Sequence, residues 1–226
     1  TLELFGDKVA ARELAGQASV PTVPGRAVAN AAELESFLAE QHGAAVMLKA
    51  SHGGGGKGMR LVSGPGEARE AFARCASEAQ KAFGSDSLFA ELFLGNAKHI
   101  EVQLVADPHG QLAILGEREC SVQRQNQKLI EVTPCPTLAE PLRAELFAAS
   151  ERLAVASRLE GLATMEFLVQ DGRFFFMECN PRLQVEHTIT EEVWGVDLVQ
   201  AQLLIACERR SLADLGLLGA TNKNGS

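Results

Sequence analysis

Two glutamates interrupt apolar runs in this chain, in Met165-Glu166-Phe167-Leu168 and in Phe174-Phe175-Phe176-Met177-Glu178. A carboxylate in such a setting is costly to bury unless it is paired or bound to a cation. Asn180 follows Glu178 by two residues and therefore shares its strand face. Two carboxylates and an amide oxygen make a hard, all-oxygen donor set suited to a magnesium ion carrying phosphate oxygens. The competing interpretation is two unrelated edge-strand charges at solvent. Asp171-Gly172 marks the turn between the strands. A strict two-residue turn would put the glutamates on opposite faces, so a shared site predicts an odd loop, with Gly172 left-handed in a three-residue turn.

The segment that follows is dense in polar function: Glu178-Cys179-Asn180-Pro181-Arg182-Leu183-Gln184-Val185-Glu186-His187. Pro181 fixes a turn, Arg182 can hold an anion bidentately, and Glu186 can serve as a base. His187 reads as a structural histidine. A second polar run spans Glu117 to Lys128, where Lys128 could contact phosphate and Gln123 a ligand edge, unless the run is simply a solvated loop. His99, Glu101 and Gln103 share one face of a strand whose other residues are apolar.

Ser51-His52-Gly53-Gly54-Gly55-Gly56-Lys57-Gly58-Met59 is a third candidate. Gly53, Gly55 and Gly58 formally satisfy G-x-G-x-x-G, but a strand is expected after them where the dinucleotide fold needs a helix. Lys57 is followed by glycine, which excludes the phosphate-loop motif ending in Lys-Ser or Lys-Thr. A strand–loop–strand flap remains, with backbone N–H groups and Lys49 or Lys57 able to face phosphates. A plain flexible hairpin is the alternative.

The elements that must position these groups are legible in outline. Helices are expected over 7–18, 31–41 (capped by Asn30), 67–83, 138–158 and from Asp197 to 206. Strands are expected over 45–50, around 61–62, and over 87–94, 99–106, 111–117, 164–170 and 173–179. Hairpins separated by helices predict an α+β fold. The 226 residues carry 21 basic and 29 acidic side chains, for a net charge of −8, with 46% hydrophobic residues. That supports a packed core and disfavours nucleic acid as a partner. No apolar run approaches the ~20 residues of a membrane span, and no signal-peptide pattern opens the chain. Five cysteines without C-x-x-C spacing suit buried thiols in a reducing compartment. The start without Met and the polar tail suggest a piece of something longer.

Lys49 to Arg60, the strand His99-Ile100-Glu101-Val102-Gln103, Glu117-Arg118-Glu119-Cys120-Ser121 and the Glu178–His187 segment together resemble biotin carboxylase, in order and spacing, from about residue 6 to 206. The resemblance implies an ATP-grasp fold with mixed or antiparallel sheets over 1–226 and a small mobile lid over about 22–93. It implies that the family's flanking Rossmann-like and C-terminal domains are absent from these 226 residues. It implies nucleotide binding by Lys8, Lys49, Gly55, Gly56, Met59, Glu91, Leu94, His99, Glu101, Gln123 and Leu168, with Lys128 on phosphate. It implies Mg²⁺ or Mn²⁺ on Glu166, Glu178 and Asn180, and bicarbonate on Arg182, Gln184 and Val185.

In the family, the residue matched by Glu186 deprotonates bicarbonate, which attacks ATP to form carboxyphosphate. Biotin on a carrier domain is then carboxylated and passes the group to a carboxyltransferase. Glu186, Arg182 and Lys128 are the expected catalytic set. A cytoplasmic or organelle-matrix enzyme, oligomeric as a whole, is implied. Another ATP-grasp ligase, such as a carbamoyl-phosphate synthetase half, and a nucleotide-binding fragment inactive alone are the competing functions. Phe5, His52 and the pair Gln125-Asn126 depart from the family's usual residues.

Overall fold

The structure is a computed structural model that describes residues 2–52, 58–125 and 127–219. Two short helices, α1 (Leu2–Gly6) and α2 (Lys8–Gln17), open the chain. The Asp7 carboxylate caps α2 by accepting the Val9 N–H at 2.8 Å. A first sheet contains β1 (Gly25–Val28), β2 (Val46–Ala50), β3 (Met59–Val62) and β4 (Leu88–Leu92), in the order β1-β4-β2-β3 and wholly antiparallel. Helices α3 (Ala31–Glu40) and α4 (Pro65–Phe83) accompany it. Leu34, Phe37 and Leu38 of α3 and Ala68, Cys75 and Ala79 of α4 join Val46, Leu48 and Val62 in a separate apolar core.

The second sheet carries most of the polar motifs. Its strands are β5 (Lys98–Ala106), β6 (Leu112–Arg124), β7 (Gln127–Val132), β8 (Gly161–Gln170) and β9 (Arg173–Asn180), in the order β7-β6-β5-β8-β9. Helix α5 (Glu140–Ser157) and α2 bury one face, where Leu146 and Leu153 meet Ile100, Val102, Met165 and Phe167. On the opposite face, α7 (Leu198–Glu208) covers Val105 and Leu162. Helix α6 (His187–Trp194) follows the polar segment after β9. The rest of that face is left to charged and amide side chains. Alternation along a strand produces both environments from one sequence.

Three sequence expectations change. The odd loop is wrong: Gln170 pairs with Arg173 across a two-residue Asp171-Gly172 turn, and both turn residues have positive φ, 51° and 70°. Those angles suit the tight hairpin turn that matches strand twist. The glutamates nevertheless share a face. Phe167 pairs with Phe176 while Glu166 pairs with Glu178, so Met177 is an extra residue in a β-bulge that reverses the parity. The polar run from Glu117 is strand rather than solvated loop, continuing as β6 to Arg124 and returning as β7. Finally, Cys207 is exposed, whereas the other four thiols are buried.

The turn after β5 is tied to the end of the described chain by Asp107. Its Oδ1 accepts the N–H groups of His109 and Gln111, each at 2.9 Å, and its Oδ2 accepts that of Leu212 at 2.8 Å. Burial would raise this carboxyl's pKa, but the three backbone donors outweigh it and hold the pKa low. Such a group stabilises the fold above its unfolded pKa of ~3.9, and the benefit disappears as pH falls through the lower folded value. Asp107→Ala is expected to cost about 3 kcal/mol at pH 7 in urea unfolding. The gap from the unsubstituted chain should narrow below about pH 4 as protonation removes the anion.

Candidate active site

Four charged side chains lie in register across four strands. Arg118 of β6 pairs with Glu101 of β5, Glu101 with Glu166 of β8, and Glu166 with Glu178 of β9. In the adjacent row, Gln103 pairs with Thr164, and Thr164 with Asn180. On the other side His99 pairs with Leu168, an apolar neighbour on the same face.

Hydrogen bonds knit these rows together. His99 Nε2 lies 2.7 Å from Glu166 Oε2, and His99 Nδ1 lies 2.8 Å from Gln123 Nε2. The Lys128 ammonium donates to Glu101 and to Glu186, and its Nζ is 3.6 Å from Glu166 Oε1. That same Glu166 oxygen accepts Asn180 Nδ2 at 2.6 Å and Gln184 Nε2 at 3.1 Å. The Asn180 amide nitrogen also reaches Glu178 Oε1 at 3.3 Å, while its oxygen accepts Arg182 Nη2 at 3.3 Å.

The electrostatics divide the carboxylates. Burial works to raise Glu166, but the His99 hydrogen bond and charge, Lys128 and the Gln184 amide together hold it low. Glu178 is pushed up by burial and by the charge of Glu166, against the opposing pull of Lys8 and Lys49. Glu101 is likewise pushed up by burial and by Glu166. Burial opposes the Lys128 charge, yet Glu166 and Glu101 raise its pKa overall. Glu186 is held low despite burial, chiefly by the Lys128 hydrogen bond, and is therefore an ionised carboxylate at neutral pH.

The oxygen-rich pair Glu166–Glu178 fits a hard divalent cation, because it concentrates negative charge that its neighbours only partly balance. The Asn180 amide presents its nitrogen to both carboxylates, and turning it would bring its oxygen into the donor set. A second grouping, His99, Glu101 and Glu166, brings ligand atoms within 4.8 Å of one another. Lys128 already supplies a cation there, which makes it the poorer metal site.

Other expected site residues fall around this network. Lys49 and Glu91 form an ion pair on the first sheet, with Arg12 Nη1 4.0 Å from Glu91. Burial lowers the Lys8 pKa, while Glu178, Lys49 and Glu91 all act on its charge. Met59, Leu94 and Leu168 are partly buried. Arg182 is exposed and donates to its neighbour Leu183 O at 3.1 Å, and Val185 is 90% exposed. Glu101 is 0% exposed, so it acts here through Lys128 rather than at an open surface. Gly55 and Gly56 lie outside the described residues. The strands β2 and β3 that flank them do pair antiparallel, Lys49 opposite Met59, as a flap requires.

Sequence reasoning missed Arg118, Thr164 and Thr190 as members of the site. Arg118 is fully buried and contacts Glu101, Gln103, Thr164, Gln184 and Thr190. A usable signal existed: once β5 and β6 are paired, Glu101 demands a cation in register.

This architecture, with a four-stranded antiparallel sheet beside a sheet lined by acids and lysines, is an ATP-grasp fold. Residues 7–213 match the model of the carbamoyl-phosphate synthase L chain, ATP binding domain, and the chain belongs to that family. It is 52% identical over 216 residues to pyruvate carboxylase 1 of Caenorhabditis elegans, covering 94% of this chain and 18% of that protein. It is 47% identical over 206 residues to Bacillus subtilis pyruvate carboxylase, covering 91% and 18%. The biotin carboxylase–β-γ-ATP complex of Campylobacter jejuni superposes with a TM-score of 0.89 at 41% identity, over 93% of this chain and 48% of that one. The biotin carboxylase domain of Hydrogenobacter thermophilus 2-oxoglutarate carboxylase, in complex with MgADP, ADP and bicarbonate, gives 0.87 at 39% identity, over 95% and 48%. The chain thus spans less than a fifth of these pyruvate carboxylases and about half of the biotin carboxylases.

Glu178→Gln removes one of two facing carboxylates. Without divalent ions this variant should be more stable than the unsubstituted chain, because burial and Glu166 both disfavour the Glu178 charge. A carboxyl with a raised folded pKa stabilises when protonated and loses that contribution as pH climbs through the folded value. The advantage of the variant should therefore grow with pH, and added Mg²⁺ should reverse it. Melting temperatures at several pH values, with and without Mg²⁺, measure both effects.

Proposed function

We propose that this chain is the nucleotide- and bicarbonate-using part of a biotin-dependent carboxylase. It carboxylates biotin on a carrier domain at the expense of ATP through carboxyphosphate, an ATP-dependent carbon–nitrogen ligation. One observation carries the reading: a single ammonium, Lys128, joins Glu186 to the carboxylate cluster of Glu101 and Glu166. Base, phosphate-facing cation and metal-binding acids are thereby held at fixed separations. The biotin carboxylase and pyruvate carboxylase likenesses support the same reading.

In this scheme Glu166, Glu178 and Asn180 hold Mg²⁺ or Mn²⁺, and the magnesium of the Hydrogenobacter complex favours the former. A bound metal would neutralise charge on phosphate oxygens. Lys8, Lys49, Met59, Glu91, Leu94, His99, Gln123 and Leu168 form the nucleotide site, with Gly55 and Gly56 in the flap. Residues 22–93 act as the lid. Arg182, Gln184 and Val185 receive bicarbonate. Glu186, ionised beside Lys128, takes its proton, and Lys128 balances the charge developing nearby. Glu101 holds Lys128 in place.

The partners are the biotin carrier domain and a carboxyltransferase, and the pyruvate carboxylase relatives favour pyruvate as eventual acceptor. No helix among the described residues is long and apolar enough to cross a membrane. The free thiols suit a reducing compartment, the cytoplasm or an organelle matrix. The individual relatives do not favour a carbamoyl-phosphate synthetase half.

Glu186→Gln separates chemistry from binding. Mg·ATP affinity, measured by titration, should change less than about threefold. Bicarbonate-dependent ADP release should fall about 100-fold or more. Equal loss of both would place Glu186 in nucleotide binding instead. The 226-residue chain alone is expected to bind Mg·ATP yet carboxylate free biotin weakly. Robust biotin-dependent ADP release by the purified chain would contradict that expectation.

A further inference from the structure

Arg118 is the largest fully buried side chain of the described residues. Its Nη1 donates to Gln103 Oε1 at 2.8 Å and to Thr190 Oγ1 at 2.9 Å. Its Nη2 faces Glu101 Oε2 and Thr164 Oγ1, both at 3.3 Å, and Gln184 Oε1 at 3.4 Å. These partners belong to β5, β8, the segment after β9 and α6. One guanidinium therefore ties four parts of the chain to β6, and it reaches Gln184 and Thr190 on either side of Glu186.

The contacts also have a polarity. A guanidinium has donors only, so an amide facing it must present oxygen. Gln184 consequently turns its NH₂ toward Glu166 Oε1, 3.1 Å away. Gln103 obeys the same rule, since its NH₂ donates to the carbonyls of Ala163 and Leu104 at 3.1 and 3.3 Å. Glu101 gives Oε2 to Arg118 and leaves Oε1 for Lys128, which holds Glu186. Arg118 thus acts on the base by two routes: through Gln184 and α6, and through Glu101 and Lys128.

We infer that Arg118 is a positioning residue that sets the orientation of the Gln184 amide and the placement of Glu186 for bicarbonate, without touching either substrate. This rests on the carboxylation reading for its kinetic part and on geometry alone for its structural part. Arg118→Lys keeps the charge and removes the planar fork. In a folded Arg118→Lys protein, the Michaelis constant for bicarbonate in ADP release should rise about tenfold. The constant for ATP should stay within about twofold. Gln184→Glu keeps an acceptor toward Arg118 but loses the donor to Glu166, so the two substitutions should be non-additive on the bicarbonate constant.

A readout independent of turnover is the exchange rate of the Gln184 side-chain amide protons in ¹⁵N-labelled protein. Arg118→Lys should speed that exchange at least tenfold. Unchanged exchange in a folded variant, or equal changes in both Michaelis constants, would overturn the inference. If Arg118→Lys does not fold, Thr190→Val removes one acceptor and keeps the charge, and it should shift both readouts in the same direction by less. No shift with Thr190→Val would overturn it too. If the unsubstituted protein releases no ADP in response to bicarbonate, the carboxylation reading fails, and the amide exchange still decides the positioning role.

Discussion

The carboxylates of the second sheet set the terms for everything around them. Glu101 and Glu166 are almost wholly enclosed, and Glu178 faces Glu166 across the β8–β9 pair. Enclosed anions of like sign cannot persist without compensation. Arg118 answers from below, Lys128 from β7, His99 from the neighbouring row and Lys8 from the start of α2. Each compensating group comes from a different stretch of chain. The electrostatic demand of three adjacent strands thus recruits the N-terminal helix and the β6–β7 hairpin into one site, and the Gln184 amide before α6 adds a hydrogen bond to Glu166.

The apolar cores explain how that demand is met without disorder. The face carrying the acids lies back to back with the densely packed Ile100, Met165 and Phe167 layer, so the polar rows stand on a stiff floor. The first sheet has its own core and presents Lys49 and Glu91 to the site from a separate body. A parallel bridge between Thr22 and Phe176 and a 2.8 Å hydrogen bond from the Phe176 N–H to Pro21 O join the lead-in of that body to β9. The chemistry-bearing sheet and the lead-in to the first sheet are therefore linked close to Glu178.

Local signals made much of this legible. Asn30 and Asp197 cap their helices as the residue types require, accepting the Glu33 and Gln200 N–H groups. The strands read from β-branched and aromatic runs are present, and Glu166 and Glu178 do face each other. The reason they do so lay beyond pattern reading, because a bulge is a property of two strands and not of the turn between them. Arg118 stayed hidden for a related reason. In the sequence it is one more charge in a hydrophilic run, and only strand pairing turns it into a buried counterion. Glu101 was expected as a ligand contact, and the structure encloses it completely, because burial cannot be read from alternation alone.

The bulge at Met177 also constrains how this hairpin could vary in length. Between the tip and the acids, parity is changed once, at a single residue. Losing Met177 itself would leave Glu166 paired with Glu178 in a regular ladder, whereas losing a residue elsewhere in the hairpin with the bulge kept would turn one glutamate away from the other. A paired change, one residue in each strand, would leave the facing intact and merely shorten the hairpin. Length variation here is thus restricted to even steps while the bulge is kept, and a single-residue loss that preserves the facing must remove the bulge with it.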